Sequence, residues 1–161
     1  MASLFVLVIT AVVLRIAGWL GVAPLTSWRA VGRTSSSVML LFTGSSHFSS
    51  MKDDFVAMLP EPVPKDVRII YFTGLAEIAG AIGLLIPNTR RAAGMALVVQ
   101  LPAMFPANVN AALKWIPLRG EPPTGLWLRA PMQLLYIAVI WLTAISEPPN
   151  AAKTKRIRFR R

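Results

Sequence analysis

Five long apolar runs divide the chain, at residues 3–22, 30–49, 67–87, 92–113 and 126–145. Each is close to the ~20 residues that a helix needs to cross a hydrocarbon core. Helices are the natural spanning form because each satisfies its own backbone polar groups. No alternation of apolar and polar positions suggests a membrane β-barrel. The runs are unequal. The first is interrupted by Arg15, which is costly at mid-membrane and should face another helix or a wet cavity. The second opens with Arg33, Ser35, Ser36 and Ser37, so its first half is too polar for lipid. It would cross only if packed inside a bundle. Between the second and third runs, MKDDFVAML (51–59) places Met51, Phe55, Met58 and Leu59 at helical spacing. That pattern predicts a short amphipathic helix at the interface.

The connections are short, which favours antiparallel neighbours. Pro60, Pro62 and Pro64 stiffen the loop after the second run, and Asn88-Thr89-Arg90-Arg91 forms a tight turn between the third and fourth. Pro117, Pro122 and Pro123 mark the loop before the fifth. The expectation is an all-α membrane protein of five crossings.

Composition agrees. Mean hydropathy is +0.57, and 15% of residues are charged, against about 25% for a soluble domain. The first run lacks the basic start of a signal peptide and is read as a retained helix. The net charge of +10 would suggest nucleic acid on a soluble protein, but six of the seventeen basic residues lie in the last nine positions. On a membrane protein that pattern is an orientation signal, and it removes nucleic acid as a partner. The tail and Arg90-Arg91 belong on the cytoplasmic side, separated by an even number of crossings. The C-terminus is then cytoplasmic and the N-terminus outside in a multi-pass cell-membrane protein. Cysteine is absent and His47 is the one histidine. Thiol chemistry, a bis-histidine haem and a multi-histidine metal site cannot be built from this chain alone.

Polar groups inside the apolar runs are the candidates for function, because burying them in lipid is expensive. Glu77 sits at the middle of the third run, with Thr73, Ala76, Gly80, Ala81 and Gly83 at spacings of three and four. Such small residues admit a neighbouring helix, so Glu77 should point into the bundle. His47 lies near the end of the second run, with Leu40 and Gly44 on its face and Met51 one turn beyond. Gln100, Met104 and Asn108 form an i, i+4, i+8 stripe in the fourth run, interleaved with Pro102 and Pro106. The prolines should free the carbonyls of Val98 and Pro102. In the fifth run Gln133 follows Arg129 by one turn. His47, Glu77, Asn108 and Gln133, from four helices, are placed at similar depth and are expected to converge on one cavity open to the outer side. Met51, Gln100, Met104 and Arg129 are secondary members of that set. The alternative is a set of separate helix–helix hydrogen bonds, each worth about 0.6 kcal/mol. No nucleotide-binding or hydrolase motif occurs, and no catalytic residue is assigned.

Several runs resemble the DoxX family in the expected order: TGSSHF (43–48), MLPEPVP (58–64), TGLAEIAGAIGLLIPNTRR (73–91), FPANV (105–109) and LWLRAPMQ (126–133). The stretch RTSSSVMLL (33–41) departs from it, being more polar than in relatives. The resemblance implies a four-helix transmembrane core (28–147), an extra N-terminal transmembrane helix (1–27) and a basic tail (148–161). The family name comes from a subunit of a quinone-reducing thiosulfate oxidoreductase, and some members are linked to membrane redox-stress assemblies. It therefore implies an accessory subunit of a quinone-linked membrane complex, with a quinone or lipid as ligand. Its partners would be membrane lipids and other membrane subunits, which must supply electrons because this chain alone binds no cofactor. A purely structural or assembly subunit and a small-molecule carrier are the alternatives.

Overall fold

A computed structural model describes residues 1–146. The predicted basic tail lies outside the described residues. The helices are α1 (Ala2–Trp19), α2 (Trp28–Ser46), α3 (Lys52–Met58), α4 (Val67–Leu85), α5 (Arg90–Leu113) and α6 (Leu126–Ile140). A π-helical turn, Trp141–Ile145, prolongs α6. Among the described residues the protein is all-α, apart from an isolated bridge between Leu118 and Glu121. α1, α4, α5 and α6 with its π turn are long and apolar enough to cross a membrane.

α2 is absent from that set, and its surroundings explain why it can be. It packs against α1, α4 and α6, and Ser35, Ser36 and Ser37 are each 1% exposed. Arg33 reaches the carbonyl of Thr143 at the far end of α6, 2.8 Å away. The polar half of α2 is thus covered by protein, as its composition requires. α1 is the reverse. Only Leu7 and Gly18 are buried in it, and it lies against α2. Arg15 sits one turn from the end of α1, so its expected mid-membrane partner is not needed. It donates instead to the carbonyl of Thr26 in the following loop, at 2.8 Å, with its guanidinium 5.5 Å from the Trp19 ring. A long arginine near a helix end places its charge at the interface in this way.

α2, α4, α5 and α6 form a ring, each packed on the next. Close approach of α2 and α4 depends on Gly44 and Gly74. A β-carbon on Gly74 would lie 2.6 Å from His47 Cβ, and one on Gly44 would lie 2.9 Å from Ile78 Cγ1. The core between the helices holds Met39, Leu40, Ala81, Leu84, Leu97 and Ile140.

All five tryptophans are exposed and sit near helix ends. Trp19, Trp28 and Trp141 lie at one end of the bundle and Trp115 and Trp127 at the other. Indoles favour the membrane–water boundary for their polar edge and apolar body, so the two groups mark its two faces. The first face also carries Arg15, Arg29, Arg33, Arg90 and Arg91. The opposite face carries α3 and the α5–α6 loop, where opposite charges pair. Lys114 meets Glu61 at 2.8 Å, and Arg68 meets Asp66 at 2.7 Å. Asp66 also caps α4 by accepting from the Arg68 N–H. Its hydrogen bonds from Arg68 hold its carboxyl below the usual range.

Candidate functional site

One cavity of about 620 Å³ opens at the end of the bundle that carries α3 and the α5–α6 loop. His47, Glu77, Asn108 and Gln133 all line it, and so do Met51, Met104 and Arg129. Gln100 does not. Its amide is spent on pairing α5 with α4, donating to the Thr73 carbonyl at 2.8 Å. The apolar wall comes from Met39, Phe42, Phe55, Leu101 and Met132, with Tyr136 adding a hydroxyl.

His47 follows directly on α2 and is 5% exposed. Its ring fits over Gly74, the residue that lets α4 come close. Nδ1 lies 3.1 Å from the Ile70 carbonyl. Thr73 Oγ1 lies 3.2 Å from the same nitrogen, and Nε2 is turned toward Glu77 of α4. Phe55 of α3 stands against the same imidazole, with ring centroids 4.8 Å apart. Glu77, one helical turn beyond Thr73, is 4% exposed. Thr43 donates to its Oε1 at 2.9 Å. Its Oε2 has no hydrogen-bond partner and lies 3.9 Å from His47 Nε2.

The other two residues are already engaged across helices. Asn108 Oδ1 accepts from Arg129. Gln133 donates to the Leu101 carbonyl. The sequence pointed to freed carbonyls at Val98 and Pro102; the one that Gln133 meets belongs to the neighbouring Leu101. Cavity lining and helix pairing therefore coexist, and Glu77 Oε2 is a buried oxygen of the cavity wall left without a partner.

Sequence reading missed several contributors. Thr43 could have been found, since it stands four residues before His47 on the same helical face, whereas Thr73, named beside Glu77 only for its small size, also lies 3.2 Å from His47 Nδ1. Asn110 could not. It donates to the carbonyls of Met58 and Leu59, at 3.0 and 3.1 Å, and pins the end of α3 to α5. Lys65 caps the same helix end by donating to the Ala57 carbonyl at 2.9 Å. Arg119 and Gly120 both have positive φ, 56° and 78°, and sit within the Leu118–Glu121 bridge. That is the geometry of a two-residue primed turn. It presents the Arg119 N–H to Asp54 of α3 at 2.9 Å. The loop and α3 are thereby tied together at the cavity mouth.

Fold and site define a helical membrane protein with a largely apolar cavity that carries a few polar side chains. Residues 37–144 match a family described as Domain of unknown function (DUF8561), and the chain belongs to that family. The match starts within α2 and ends in the π turn, so α1 lies outside it. No curated protein and no solved structure matches the chain.

Proposed function

We propose that this protein is a ligand-binding accessory subunit of a quinone-linked membrane redox complex, its cavity taking the head of a lipid-soluble quinone. The observation that carries this reading is Glu77 Oε2, buried in the cavity wall without a hydrogen-bond partner and beside His47 Nε2. A quinone needs an apolar slot with one or two groups that hydrogen-bond its oxygens and exchange protons. Methionine and phenylalanine walls with a carboxyl–imidazole pair supply both, and the volume lies within the range of small-molecule sites. Reduction to the quinol also takes two electrons. With no cysteine and one histidine in the chain, those come from a partner redox subunit. The resemblance to the DoxX family belongs to this reading. So does the orientation: the face bearing the arginines is cytoplasmic, and the cavity opens outward.

Purification in mild detergent tests it. The protein should co-migrate with redox subunits, yield a quinone on organic extraction, and respond to added decylubiquinone. Glu77→Gln should keep the Thr43 hydrogen bond and the fold while losing the quinone. A wild-type protein that carries no quinone and ignores decylubiquinone overturns the reading. A structural subunit is the second reading, favoured because His47, Asn108 and Gln133 each already bond to another helix or the residue facing it. A stoichiometric complex with no ligand would support it.

A further inference from the structure

The carboxyl–imidazole pair occupies one wall of the cavity, and a charged group of opposite kind enters from another. Arg129, in the first turn of α6, is half-buried and lines the cavity. Its guanidinium donates to Asn108 Oδ1, a neutral amide. Among the described residues no carboxylate lies within ion-pair distance of it. Glu121, from the adjoining loop, reaches the cavity wall but forms no ion pair with it. Arg15 makes the contrast clear, since it turns out of the bundle to a loop carbonyl and a tryptophan ring. Arg129 turns inward. A guanidinium has five N–H donors, and Asn108 accepts from one nitrogen. Two residues from Trp127, Arg129 sits near the membrane–water boundary with its guanidinium turned into the cavity mouth, where its remaining donors can meet an entering anion.

We propose that Arg129, oriented by Asn108, is an oxyanion subsite that binds the acidic head of an acyl-chain ligand. The planar fork of the guanidinium matches two oxygens of a carboxylate or phosphate. The apolar chain would lie against Leu101, Met104 and Met132, which line the same space. Arg119 stands at the mouth, its backbone fixed by Asp54, and adds a second positive charge on the entry side. The subsite shares the cavity with the quinone reading but uses neither Glu77 nor His47, so each can fail alone.

The test uses the full chain in neutral detergent, titrated with decanoate, decyl phosphate and decanol and followed by thermal shift. Wild type should bind both anions at least about tenfold more tightly than the alcohol, the lower end for a hydrogen bond to a charged group. Preference for decyl phosphate names a phospholipid headgroup as the source, and preference for decanoate a free acyl acid; both support the subsite. R129Q should bring the anions down to the level of decanol. N108D should do the same with the arginine intact, because the new carboxylate occupies the guanidinium, and it keeps the test open if R129Q does not fold. Equal binding of all three probes to wild type, or an anion preference that survives N108D, overturns the proposal. Decylubiquinone titrated in parallel separates the two readings. Its failure beside intact anion preference removes only the quinone, and the converse removes only the subsite.

Discussion

α1 and α2 are nearly equal in length, 18 and 19 residues, and opposite in design. α1 is apolar nearly throughout and buries two residues, Leu7 and Gly18. α2 carries two arginines and three consecutive serines in its first half, yet it buries seven residues and touches three other long helices. In water the more apolar helix would be the more central. In lipid the apolar face gains nothing by being hidden, since the tails are as apolar as leucine. What must be hidden is polarity. The helix least suited to lipid is therefore the one covered by three long neighbours, and the one that delivers Thr43 and His47 to the cavity.

Substitutions at four places would break or sharpen that contrast. The largest effect is expected from Gly74→Leu at the α2–α4 contact, where a β-carbon already meets His47 at 2.6 Å. Overpacking of this kind costs about 3 kcal/mol or more when backbone has to move, so the variant should lose its cooperative melt in detergent. A melt like wild type would show that the α2 seam is looser than its geometry.

Thr43→Val comes next. It removes the donor to Glu77 Oε1 and leaves a buried carboxyl with no hydrogen-bond partner, a loss of about 1–3 kcal/mol. Pairing it with Glu77→Met should recover most of that loss, because an apolar pair has nothing left to satisfy. A double-mutant cycle by thermal unfolding measures this directly.

Ser36→Ala should move stability the other way, by up to about 1 kcal/mol. Its Oγ is buried with no partner, and an unsatisfied hydroxyl in low dielectric is a net cost. A clear destabilisation would mean that serine polarity in α2 is itself needed. The smallest effect is expected on α1. Val12 and Val13 are 52% and 58% exposed on its lipid side, so Val12→Leu and Val13→Leu should each stay within about 0.5 kcal/mol of wild type.

The helices were legible because each rule they obey is local. Residues 67–87 and 126–145 read as spans from apolarity and length, and α4 and α6 with its π turn match those limits closely. The amphipathic reading of 51–59 gave α3 for the same reason, a spacing visible within one segment. The polar residues of the site were legible by cost alone, since a glutamate or histidine in an apolar run needs surroundings that pair it. Gln100 shows where that reasoning stops. It shares a stripe with Met104 and Asn108, but the Thr73 carbonyl on α4 captures its amide. Arg15 shows the same limit, because its distance from the helix end and the presence of the Thr26 carbonyl decided its direction.

By itself the sequence determined that the chain enters a membrane, where its helices lie, and which side chains could not face lipid. Those follow from transfer energies and from helix length against bilayer thickness, quantities that each segment carries alone. Tertiary structure decided which polar groups found partners. Thr43 reached Glu77, Asn108 reached Arg129, and Asn110 fastened α3 over the cavity mouth. Glu77 Oε2 was left without one. Partner choice depends on how helices distant in sequence are rotated and spaced, and for Thr43 and Glu77 the spacing rests on Gly44 and Gly74, which let α2 and α4 close to contact.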